Sequence, residues 1–158
     1  MKKLALISLI LLTALVACKK KSVKPKQDNP APKELITRIN WHTIHIQHYF
    51  YDQDNNRVYK TPDSAGVAYK FQNDQIQITN LDNTIKQGTY SITKSNAGGQ
   101  LLNLTFNNHT DTFNIDTLTE SLLYFHGEKA NAVYIDNGVQ HNAAKEVTSV
   151  YLHCDCGQ

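Results

Sequence analysis

The chain has 158 residues, which is one domain or one domain plus a tail. Hydrophobic residues make up 41% and charged residues 19%, enough apolar side chain for one modest core, which argues against whole-chain disorder. The net charge of +2 is unevenly placed: residues 19–34 carry six Lys against Asp28 and Glu34, whereas residues 35–158 carry eight basic and twelve acidic side chains, a body of net −4 that argues against a nucleic-acid partner.

Met1-Lys2-Lys3 is a short positive segment, and Leu4 to Val16 is an apolar run broken only by Ser8 and Thr13. A permanent transmembrane helix needs about 20 residues, so this run has the length of a signal-peptide core instead. It ends in Leu15-Val16-Ala17-Cys18, which resembles the lipobox of bacterial lipoproteins. The resemblance implies cleavage before Cys18, after its thiol has accepted a diacylglyceryl group. One acyl chain holds a protein only marginally, whereas two or more anchor it stably. Lys19, not Asp, follows the cysteine. In the Gram-negative lipoprotein pattern that implies outer-membrane delivery, and without an acidic run after Cys18 a periplasm-facing position is favoured over the cell surface.

Residues 18–34 hold three of the four prolines and almost no apolar side chains, which reads as a flexible Lys/Pro-rich linker after the lipidated cysteine. Extended like polyproline, at about 3.1 Å per residue, sixteen residues reach ~50 Å from the membrane.

From residue 35 the hydrophobic period is two. Asn and Gln number 25 and Thr 14, a composition that suits a solvated β-domain better than a helical bundle. Val67–Phe71 alternates, Asn73-Asp74 turns, and Gln75–Thr79 alternates again. Thr84–Lys94 follows the turn at Asn80–Asn83, and Ser95–Gly99 is a loop. Leu102–Phe106, Thr110–Ile115, Ser121–His126 and Asn131–Asp136 are further strands. Asn137-Gly138 is a strong hairpin signal, and Val147–Cys154 closes the set with Val150, Leu152 and Cys154 on one side. About eight antiparallel strands with one dry face predict an all-β fold: an up-and-down barrel, since closure removes exposed edges, or a flattened sandwich.

The body resembles the lipocalin-like lipoproteins of Bacteroidetes. The resemblance rests on Trp41 near the start of the first strand and on the strands Gly88–Ile92 and Leu101–Leu104. It also rests on Phe113–Thr119 followed by Leu122-Leu123-Tyr124. It covers roughly residues 35–154 and implies a small barrel with an apolar cavity whose ligand varies among members. The inward aromatic set of such a cavity would be Trp41, Tyr69, Phe71, Tyr90, Phe106, Phe113 and Tyr124. Two functions follow. One is a lipid-anchored barrel binding a small apolar ligand. The other is a non-enzymatic module that meets another envelope protein or a glycan. Interior volume decides between them.

Chemistry is sparse. On a regular strand His42 and His48 share a face with Ile44 and Ile46 between them, and His45 points the other way. At i, i+6 the two histidines lie about 20 Å apart, too far for one metal. His153-Cys154-Asp155-Cys156 offers soft ligands, with His141 or His126 as a further one from a neighbouring strand. In an oxidising compartment Cys154 and Cys156 favour a disulfide, with free thiols and a metal site as alternatives. Asp63-Ser64-Ala65 resembles a Bacteroidetes O-glycosylation sequon, but a plain Asx turn accounts for it, and Asp116-Thr117-Leu118 matches equally well. There is no nucleophile elbow, phosphate-binding loop or His-Glu-x-x-His, and Asp52, Asp54, Asp74, Asp82 and Asp136 are scattered over turns. No enzyme activity, cofactor or metal is expected.

Overall fold

In the computed structural model, which describes residues 30–62 and 64–154, one short helix precedes nine strands. They are α1 (Pro32–Thr37), β1 (Asn40–Tyr51), β2 (Arg57–Lys60), β3 (Ala68–Gln72), β4 (Gln75–Thr79), β5 (Ile85–Lys94), β6 (Gln100–Phe106), β7 (His109–Leu118), β8 (Leu122–Asp136) and β9 (Val139–Cys154). Asparagine sets the turns. Asn73-Asp74, Asn107-Asn108 and Asn137-Gly138 each place two successive residues at positive φ, the requirement of the tight hairpin turn whose twist matches its strands.

β3 to β9 pair in sequence order, β1 pairs with β3, and β9 returns to pair with β1 from Trp41–Cys154 to Tyr51–Lys145. The sheet is therefore a closed eight-stranded antiparallel barrel, not a sandwich. β2 is an additional strand on the far end of β1. Closure leaves the apolar faces one place to go. Trp41, Phe71, Ile76, Leu102, Leu123, Phe125 and Leu152 are at most 1% exposed and fill the interior.

Three sequence expectations are corrected. The folded body begins by Pro32, inside the stretch assigned to the linker. Pro32 opens α1, where its missing N–H costs nothing, and Ile36 drops fully buried into one end of the barrel. Ser121–His126 and Asn131–Asp136 belong to one strand, because Asn131 at φ 53 bends β8 without ending it. β9 starts at Val139 instead of Val147, and its hairpin with β8 runs past the barrel. There Ala132, Ala143 and Phe50 pack with Tyr59 and Tyr134 as a second small core.

The signal peptide 1–17, Cys18, most of the linker, Asp63, Asp155 and Cys156 lie outside the described residues. Among those described, no helix is long and apolar enough to cross a membrane.

Candidate functional site

The two ends of the barrel differ. At one end α1 forms a plug. The Trp41 indole N–H donates to the Ile36 carbonyl at 2.9 Å, Lys33 bridges to Asp74 at 2.5 Å, and Arg38 reaches Glu34 at 2.6 Å and Glu120 at 3.6 Å. At the other end the wall opens. The β7–β8 ladder runs from Leu118–Leu123 to Asn114–His126 and stops there. Beyond it His109–Phe113 pairs only with β6, and Gly127–Ala130 only with β9, among the described residues. A cleft of about 650 Å³ lies in this opening.

Its floor is Phe113 against Gly127. A Cβ at Gly127 would sit 2.7 Å from Phe113 Cδ1 and 3.3 Å from the Thr112 carbonyl, so only glycine lets the ring lie there. Its walls are formed by His48, Thr148 and Glu146 on β1 and β9, His109 to Thr112 on β7, and Glu128 and Lys129 on β8. Asp111, Glu128 and Glu146 line it beside Lys129; Glu128 is bridged by Lys145 at 3.7 Å, and Asp111 Oδ1 lies 3.1 Å from His109 Nε2. His48 Nδ1 lies 2.6 Å from Glu146 Oε1 and 3.1 Å from Thr148 Oγ1, and the Thr148 hydroxyl donates to the same carboxylate at 3.3 Å. Engaging Nδ1 leaves Nε2 as the second ring nitrogen for a ligand.

A bulge in β1 brings His48 here. The register with β9 shifts between Thr43 and His45, which leaves Ile44 48% exposed and reverses the alternation. His42 then opposes His153, His45 opposes Tyr151, and His48 opposes Thr148. The expected faces are thus exchanged: His45 shares the face of His42, and His48 takes the other. Nothing in the sequence of β1 marks that bulge.

Trp41, Tyr69, Phe71, Tyr90 and Phe106 are buried members of the packed core and do not border the large cleft. Phe71 and Tyr90 meet edge to face at 5.0 Å. Burial pushes the Tyr69 hydroxyl up to about 12 and also raises that of Tyr90, whose buried oxygen has no hydrogen-bond partner among the described residues. Phe113 alone of the seven borders the cleft. Tyr124 is a correction. Leu123, Phe125 and Gly127 take the inward positions of β8, so Tyr124 faces outward and stacks on Tyr151 at 4.0 Å. A hydrogen bond to Tyr124, then burial, pushes the Tyr151 hydroxyl up to about 12. His45 packs on Tyr151 at 4.2 Å, and His126 Nδ1 lies 2.6 Å from Asp116 Oδ2.

Cys154 is disulfide-bonded, opposite Trp41. His126 opposes Ser149, and His141 stacks on Tyr134, so neither stands beside His153. Among the described residues no three His, Cys, Asp or Glu side chains converge on one point. In comparison with known proteins, no family model and no curated protein matches the chain.

Proposed function

We propose that this protein is a lipid-anchored envelope lipoprotein, tethered through Cys18 to the periplasmic side of the outer membrane. Its lipocalin-like barrel is a non-enzymatic interaction module whose partner is an extended segment of another envelope protein. One observation carries the reading: five of the seven aromatics that would line an apolar cavity are buried in the core, and a cleft of about 650 Å³ lined by Asp111, Glu128 and Glu146 lies between two strand edges. Open strand edges accept an added strand, the main chain supplying affinity and the flanking side chains specificity. Asp111, Glu128 and Glu146 favour a basic segment.

The test is a photo-reactive amino acid placed at Thr110 in cells, with His141 on the distant hairpin as control. The reading expects a protein adduct at Thr110, mapped to a short extended segment, that weakens when Asp111 and Glu146 become Lys. Native mass spectrometry of the detergent-extracted protein supplies the opposite outcome. A stoichiometric apolar ligand, with no adduct at Thr110, would favour the cavity-binding function instead.

A further inference from the structure

We propose that Tyr124 and Tyr151 are a site of oxidative cross-linking, joined ring to ring as a dityrosine by a one-electron oxidant of the haem-peroxidase class acting with hydrogen peroxide. The two residues oppose each other on β8 and β9, on the outer face of the barrel. Their rings stack with centres 4.0 Å apart and planes inclined by only 8°, and their hydroxyls share a hydrogen bond. Both side chains are half-buried, so the surface gives access to an oxidant while the strands hold the rings in place. His45 packs against Tyr151 at 4.2 Å and confines that ring further. The remaining tyrosines offer a poorer geometry: Tyr59 and Tyr134 stack at 4.7 Å, and Tyr69 and Tyr90 are buried in the core.

The stack supplies the coupling geometry. A phenoxyl radical spreads its unpaired electron over the oxygen and the ortho and para ring carbons, in orbitals perpendicular to the ring. Face-to-face rings overlap those orbitals directly. Reaction asks for atoms about 3–3.5 Å apart with orbitals aligned, and parallel rings with centres at 4.0 Å bring facing carbons close to that separation. The shared hydrogen bond sets the two hydroxyls side by side, and with them the ortho carbons next to each hydroxyl. The oxidant removes one electron from each phenol, and each hydroxyl proton leaves to water. The two ortho carbons then form one C–C bond, and the hydrogen on each passes to its own ring oxygen, which restores both phenols. The linked pair is two hydrogen atoms lighter than its parents, and one hydrogen peroxide is reduced to two waters. The bond ties β8 to β9 across the barrel wall.

The experiment treats the full-length, detergent-extracted protein with a plant haem peroxidase and hydrogen peroxide. The product is reduced, digested with trypsin and read by mass spectrometry and dityrosine fluorescence. Trypsin separates Tyr124, on the peptide 95–129, from Tyr151, on the peptide 146–158, and each peptide holds no other tyrosine. Reduction removes any disulfide link through Cys154. The expected result is these two peptides joined and two hydrogen atoms lighter, in a yield independent of protein concentration. Tyr124→Phe and Tyr151→Phe should each bring that species to background, Tyr134→Phe should leave it unchanged, and unfolding in urea before oxidation should abolish it. Absence of the joined peptides from the folded parent would overturn the assignment. So would a yield that rises with protein concentration, which marks coupling between copies, or a dominant Tyr59–Tyr134 product. If a Phe variant loses its β-type far-UV spectrum, the comparison of folded and urea-unfolded parent decides.

Discussion

The indole of Trp41 donates to the carbonyl of Ile36 at 2.9 Å, and both residues are fully buried. This contact, beside the Lys33–Asp74 bridge, joins the plugging helix to the barrel wall. It also ends α1, whose last carbonyls need partners that six residues cannot supply from within. Trp41→Phe keeps an aromatic ring but leaves the Ile36 carbonyl buried without its donor, at a cost of about 1–3 kcal/mol. Thermal unfolding followed by circular dichroism should show a midpoint lower by roughly 4–8 °C per kcal/mol lost. An unchanged midpoint would mean that the helix is dispensable to the barrel.

Most of the fold was legible because strands and turns announce themselves locally. Val67–Phe71 alternates over a period of two, and Asn73-Asp74, Asn107-Asn108 and Asn137-Gly138 carry the side chains that tolerate positive φ. What was hidden depends on tertiary context. The six residues of α1 are too few to show a helical repeat, and only Ile36 is buried. The bulge at Ile44 exists because β1 must match β9 on both sides of it, and no residue type demands that. Tyr124 looked inward because it is aromatic, yet Leu123 and Phe125 hold the inward positions. The cleft depends on where the β7–β8 ladder stops. Gly127 in mid-strand was its one sequence trace, since glycine in a strand marks a close approach.

The Tyr124–Tyr151 stack gives an alkaline signature. The hydrogen bond to Tyr124, with burial behind it, raises the Tyr151 hydroxyl to about 12, against 10 for a free tyrosine. The unfolded chain therefore loses this proton first as pH rises. The contribution to stability is fully present below about pH 10 and is lost as pH climbs towards 12. Urea unfolding at pH 9, 10.5 and 11.5 should show the parent losing more stability than Tyr151→Phe over that window. Tyr124→Phe should shorten the window by removing the hydrogen bond. Parallel pH dependence in all three proteins would refute the pairing.

Anchoring rests on Cys18 alone if the lipobox functions. Cys18→Ala removes the only thiol next to the small Ala17, and the protein should then remain unprocessed or appear soluble in the periplasmic fraction. Fractionation with and without high salt separates a lipid anchor from the weaker attraction of Lys19, Lys20 and Lys21 to anionic lipid, which salt screens. A processed variant that stays with membranes at high salt would disprove the anchor.

Gly127 is where stability and the cleft meet. A methyl group there would stand 2.7 Å from Phe113 Cδ1 and 2.9 Å from Cε1, so the ring or β7 must move. The ring is not loose: it meets Phe125 edge to face at 5.2 Å, and Phe125 belongs to the packed core. Gly127→Ala should therefore cost about 1–3 kcal/mol, the usual price of overpacking. Phe113→Leu alone loses the aromatic contact but leaves room at residue 127. In the double variant the added methyl group meets a smaller side chain, so the two losses should sum to less than their separate values, with a coupling of about 0.5–3 kcal/mol. Chemical denaturation of the parent, both single variants and the double variant measures that coupling. Photo-adduct formation at Thr110 should fall in Gly127→Ala, because a displaced Phe113 intrudes on the cleft it floors, and should recover in part in the double variant. Strictly additive losses, with adducts unchanged throughout, would show that Phe113 and Gly127 neither touch nor shape the opening.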